Sequence, residues 1–154
     1  MSFELKSPAI SGREPIPQRY TGDGANVSPP LEWTEPPAET KSLALIVEDP
    51  DAPGGMFRHW GLYNIDAGER RLPEGAGNAK HGNGLPATVN DFGEKGYCGP
   101  KPPRGHGPHH YHFKLVALDV AKLDLAPSAH VNDIWKAARG HIVSQAELVA
   151  TYAR

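Results

Sequence analysis

A chain of 154 residues with a formal net charge of -2 and a pI near 6.4 carries no broad positive field, which excludes nucleic acid and acidic membranes as partners held by charge. Its 17 glycines and 16 prolines, set among hydrophobic residues (38%) that run the whole length, predict one domain over 1–154 with many ordered turns and no disordered tail. Cys98 is the single cysteine and is expected to be a packed thiol, and the lack of a leader or long apolar run predicts a cytoplasmic protein without stable membrane insertion.

In chain order, the first strong element is Ser42 to Glu48 (SLALIVE), an aliphatic run between Pro36-Pro37 and Asp49-Pro50 that predicts a buried strand in the centre of a sheet. Trp60 to Ile65 and His112 to Leu118 read the same way. In the latter, Phe113, Leu115 and Ala117 alternate with His112, Lys114 and Val116, so the strand should present two distinct faces. Asn132 suits a helix N-cap, Asp133 its positive end, Ile134, Trp135 and Ala138 one buried face, and Gly140 the stop. From His141 to Tyr152 both periods fit, and the alternation of Ala146, Leu148, Ala150 and Tyr152 favours a terminal strand. Short strands with few helices predict a mainly β fold: a β-sandwich of two antiparallel sheets with one or two short peripheral helices.

Two polar segments sit at predicted strand ends. Asp49-Pro50-Asp51-Ala52-Pro53 places two carboxylates on a proline-stiffened turn, and taken alone it reads as an ordinary solvated turn. His59 lies ten residues after Asp49, close enough for a hairpin to return it beside the aspartate. Gly99 to Tyr111 (GPKPPRGHGPHHY) is less ordinary, since its prolines and glycines forbid helix and central strand yet it runs directly into a core strand. It is expected to form a rigid wall whose glycine amides can face an anion. His106, His109, His110 and His112 invite a metal reading, but His110 and His112 share a face opposite Tyr111, and His109 opposes His110, so no metal is expected. His81, His130 and His141 read as structural. No serine sits in a Gly-x-Ser-x-Gly elbow, and no P-loop is present.

Together these segments resemble the signatures of the phosphatidylethanolamine-binding protein family, also called Raf kinase inhibitor-like proteins. Asp49 to Pro53 is similar to D-P-D-A-P, His59 to the histidine before the next strand, and Gly99 to Tyr111 to G-P-x-P-P-x-G-x-G-x-H-R-Y. Tyr20 to Gly24, Val27 to Leu31, Asn90 to Gly93 and Gly96-Tyr97 extend the likeness to the compact bacterial branch. The resemblance implies an antiparallel β-sandwich with a small pocket at one end, and it assigns ligand binding to Asp49, Asp51, His59, Pro102, His109 and Tyr111. Two positions depart from the pattern. His110 replaces an arginine, which is expected to loosen the loop, and Arg58 replaces an aromatic residue, where it is expected to add charge at the rim.

The expectation is a non-catalytic binding protein, without cofactor, whose two imidazoles, as cations or through neutral N–H bonds, take a small anion such as phosphate or a phosphoethanolamine-like headgroup. Binding should weaken from mildly acidic pH toward pH 8, as imidazoles with ordinary pKa values near 6.5 lose their charge. His109→Ala is expected to abolish that binding with little loss of fold, since the residue sits at a loop-to-strand junction. The family label implies a kinase or signalling modulator, and the bacterial branch implies a homodimer. Two other readings stand beside this one: an interaction module for phosphorylated partners, and a hydrolase in which Asp49 and His59 act as base and orienting group.

Overall fold

The computed structural model describes residues 3–78 and 85–154, so His81 and the first two residues lie outside the described residues. In chain order the elements are β1 (Leu5–Lys6), β2 (Leu31–Trp33), β3 (Ser42–Asp49), β4 (Phe57–Asp66), β5 (Arg71–Leu72), β6 (His109–Leu118), α1 (Val131–Ala138) and β7 (Ile142–Tyr152), with a 3-10 turn at Gln18–Tyr20. Two antiparallel sheets result, ordered β1-β2-β5 and β4-β3-β6-β7, as the sequence pattern predicts.

Residue alternation explains the layering. Leu43, Leu45 and Val47 of β3 and Phe113, Leu115 and Ala117 of β6 point into a core shared with Leu5, Leu31, Trp33 and Leu72 of the smaller sheet. Ala44, Ile46, Val116 and Leu118 point the other way, where Val131, Ile134 and Ala138 of α1 cover them. Both faces of β3 are therefore closed and all eight of its residues are buried. Each fully buried aliphatic side chain contributes about 1.5–3 kcal/mol relative to exposure, so the central strands anchor the molecule.

Element limits differ from the apolar runs in an informative way. β4 starts at Phe57 and β6 at His109, each three residues before the run that marks it. Ladder hydrogen bonds continue past the last apolar residue, and the polar residues there become strand residues. α1 starts at Val131, before the expected cap Asn132; the Asp133 carboxylate closes its first turn by accepting the His130 N–H at 2.9 Å. Gly140, at φ 82°, turns the chain out of the helix into β7. β7 pairs with β6 from Tyr152↔His109 to Ile142↔Leu118, so the ambiguous C-terminal pattern is a strand.

One irregularity matters for the site. Glu48 pairs with Arg58 but Val47 with Trp60, which makes His59 the extra residue of a β-bulge. The insertion lets Arg58 turn toward the α1 side while Trp60 enters the core between the sheets. His59 is released from the β3 ladder, and its carbonyl instead accepts the Cys98 N–H at 3.3 Å.

Close packing of α1 on β4 depends on Gly61, where an added Cβ would collide with Thr88 and approach Ile134 Cδ1 to 2.9 Å. Gly61→Ala should lower the free energy of unfolding by about 1–3 kcal/mol through overpacking, read by urea denaturation. Gly54→Ala, in open space, should stay within about 0.5 kcal/mol of the parent.

Candidate ligand-binding site

The C-terminal end of β3 meets the N-terminal ends of β4 and β6, since neighbouring strands are antiparallel. A cavity of about 230 Å³ opens there, lined by strand residues Asp49, Phe57, His59, His109 and Tyr111. Loops complete it with Ala52, Pro53, Phe92, Lys101, Pro102 and Pro103.

Asp49 is 3% exposed and both its oxygens are in use: Oδ1 accepts the Asp51 N–H at 2.8 Å, and Oδ2 accepts from His109 Nδ1 at 2.6 Å. A carboxylate has no hydrogen to give, so His109 Nδ1 carries it. The other ring nitrogen, His109 Nε2, lies 2.5 Å from His106 Nδ1. A hydrogen-bonded chain thus runs from the buried Asp49 through His109 to the exposed His106 at the rim.

His59 is wired differently. Its Nδ1 is 2.7 Å from the Cys98 carbonyl, which can only accept, so Nδ1 carries a hydrogen. Phe57, Phe92 and Tyr111 surround the ring, with centroids 4.9, 5.5 and 5.3 Å away. Burial lowers the His59 pKa below the ordinary imidazole value, and the Cys98 carbonyl and the charges of Asp49 and Asp91 only partly oppose it. Of the two states expected of the imidazoles, cation or neutral N–H donor, burial favours the neutral one at His59, and its Nδ1 hydrogen goes to the Cys98 carbonyl. Asp49 and His59 share no hydrogen bond, so the base-and-orienter pair of the hydrolase reading is not formed; the carboxylate's partner is His109.

The Tyr111 hydroxyl has no hydrogen-bond partner among the described residues, and burial, with Asp49 close by, holds its pKa above the ordinary phenol value. It is a neutral donor facing the cavity. The Lys101 side chain at the mouth is exposed and has no ion-pair partner among the described residues.

Of the residues expected in the site, Asp49, His59, Pro102, His109 and Tyr111 line the cavity and Asp51 does not. The exposed Asp51 carboxylate accepts both the N–H and the Nδ1–H of His110 at 2.8 Å, and the side-chain bond holds its pKa below the ordinary range. His110 therefore ties the loop down in spite of replacing an arginine. Arg58 adds nothing to the rim, because the bulge sends it to the opposite face, where its Nε donates to Glu48 at 2.9 Å. Burial pushes the Glu48 carboxyl up, but bonds from Trp135, Lys114 and Arg58 outweigh it and hold the group below the ordinary carboxylate range. Cys98 is a packed thiol: burial pushes its pKa up to about 11, and its Sγ donates to Glu94.

Sequence reasoning missed the aromatic wall. Phe92 is held by a turn in which buried Asn90 accepts the N–H groups of Phe92 and Glu94 on Oδ1 and donates Nδ2 to the Gly96 carbonyl. The signal the sequence carried is an aromatic residue beside Asn-Asp in a loop; in the structure 47% of its surface is exposed. His106 entered only as a possible metal ligand, and the structure makes it the partner of His109.

The family model described as phosphatidylethanolamine-binding protein matches residues 6–153. A UPF0098 protein of Aquifex aeolicus is 43% identical over 152 residues, covering 99% of this chain and 89% of the relative. The crystal structure of Escherichia coli YbcL, described as a new member of the mammalian PEBP family, superposes with a TM-score of 0.93 at 34% identity, covering 100% of this chain and 99% of YbcL. A Mycobacterium tuberculosis relative with a lipoprotein name, LppC, is 41% identical over 148 residues, 96% of this chain and 71% of the relative. Among the described residues no helix is long and apolar enough to cross a membrane.

His109 is 1% exposed and is the buried partner of Asp49, which runs against the expectation that alanine there costs the fold little. His109→Ala strands a buried carboxylate and should cost about 3–5 kcal/mol in chemical denaturation. A histidine with a depressed native pKa costs the fold nothing above about pH 6.5 and penalises it increasingly below, by at most about 1.4 kcal/mol per pH unit. Between pH 7.5 and 5.5 the parent should lose more stability than His59→Gln; parallel pH profiles would show that His59 is not held neutral.

Proposed function

The chain belongs to the phosphatidylethanolamine-binding protein family, and from the cavity described above we propose that it is a non-catalytic binding protein for a small phosphate or phosphoethanolamine-type headgroup. The observation that carries the reading is one cavity of about 230 Å³ lined by Tyr111, whose hydroxyl has no partner among the described residues, and by Lys101, which has no ion pair among them. Charge-assisted bonds from such donors suit the oxygens of a phosphoryl group. The stiff Pro102-Pro103 wall and the Asp49–His109–His106 chain hold the shape in place before a ligand arrives, so little ordering cost accompanies binding.

Binding without turnover is favoured by what the lining contains. No serine, threonine or cysteine is among the cavity residues, and both Asp49 oxygens are committed to structural bonds. Asp49, the base of the hydrolase reading, has both oxygens engaged by protein donors, and the lone pair that does face the cavity, on His59 Nε2, has no serine, threonine or cysteine beside it to activate among the described lining residues. We place the protein in the cytoplasm, where the lone Cys98 stays reduced.

Calorimetric titration with inorganic phosphate and with phosphoethanolamine should show saturable binding by the parent protein. Tyr111→Phe and Lys101→Ala should each weaken it by about fivefold or more, the loss of one hydrogen bond to a charged group, with thermal midpoints unchanged. Parent-like affinity in both variants would remove the basis of the assignment.

A further inference from the structure

His59 gives the cavity a lone pair where an anion site ordinarily has a donor. The Cys98 carbonyl holds the hydrogen of His59 on Nδ1, leaving Nε2 as the only ring atom free for a ligand, and Nε2 has no partner among the described residues. The charged and titratable groups near the ring give it no second proton. Asp49 spends its oxygens on Asp51 and His109, and Asp91 spends Oδ2 on the Arg58 N–H. His109 points its hydrogen at Asp49, Tyr111 is a neutral phenol, and Lys101 stands at the mouth. Three aromatic rings pack around His59, and the residue is 3% exposed, so a charged imidazolium would be poorly solvated there.

We propose that this site selects a phosphate monoester carrying one proton, which donates its P–OH to His59 Nε2 while its anionic oxygens accept from the Tyr111 hydroxyl and the Lys101 ammonium. The inference rests on the anion-binding reading above and adds the protonation state of the ligand. An aprotic anion brings a lone pair against a lone pair at Nε2, which leaves a buried acceptor unsatisfied. Phosphodiesters, an intact phospholipid among them, and sulfate esters are excluded for that reason, so the headgroup reading narrows to the free monoester. A phosphomonoester has its second pKa near about 6, so the protonated form is abundant in mildly acidic solution and scarce at pH 8.

The test uses three probes that each carry a single negative charge at pH 5.5: methyl phosphate, dimethyl phosphate and methyl sulfate. Only the first has a hydrogen to donate. Calorimetry on the full chain should show methyl phosphate binding about tenfold or more tightly than the other two, and this preference should shrink at least tenfold by pH 8. The two aprotic probes report any titration of the protein's own groups and separate it from that of the ligand. His59→Phe should bind all three equally weakly, with its fold checked by circular dichroism. Imidazole ¹⁵N spectra of the parent should show His59 protonated on Nδ1 and bare on Nε2, with and without methyl phosphate.

Equal affinity of the parent for all three probes overturns the inference and leaves the anion reading standing. No binding of any probe overturns the anion reading and this inference with it. A His59 ring protonated on Nε2 overturns the inference even if the affinities differ. Methylammonium, which could also donate to Nε2, should not bind; tighter binding of it than of methyl phosphate assigns the acceptor to a cation and overturns the proposal.

Discussion

The structure depends on a central strand with no free face. β3 is flanked by β4 and β6, covered on one side by the smaller sheet and on the other by α1, and buried along all its eight residues. Every polar group placed on it must find its partner inside the protein. Glu48 and Asp49, at its end, meet that demand on opposite faces. Glu48 gathers Arg58, Lys114 and Trp135 beneath α1, and Asp49 gathers His109 and the Asp51 amide beside the cavity. The site is thus the polar closure of the core's most buried strand.

The bulge at His59 follows from the same constraint. A regular hairpin would put Arg58 and Trp60 on one face, with the guanidinium in the apolar core or the indole outside it. One extra residue lets both side chains reach suitable surroundings, and the residue left over is the one whose ring lines the cavity. Its hydrogen bond to the Cys98 carbonyl then fixes which nitrogen the cavity receives. Local backbone irregularity and ligand preference are in this way one feature.

The two histidines of the cavity differ because their second partners differ. His109 has a carboxylate on one nitrogen and a further imidazole on the other, whereas His59 has a neutral carbonyl and a shell of aromatic rings. A low-dielectric setting without an opposite charge in hydrogen-bond contact favours the uncharged ring. Identical side chains at similar burial therefore have different electrostatic roles.

By itself the sequence determined the strand alternation, the central place of Ser42 to Glu48, the terminal strand after His141 and the two segments that meet at the cavity. These are local properties: side-chain period, proline and glycine content, and spacing along the chain. Only the tertiary structure decided which carboxylate pairs with which imidazole, that Asp51 serves His110 outside the cavity, that Arg58 turns away from the rim, and that Phe57 and Phe92 wall the site. Those outcomes depend on register and on one inserted residue, and a shift of a single residue in a strand exchanges its faces without altering the composition or hydropathy that a sequence displays.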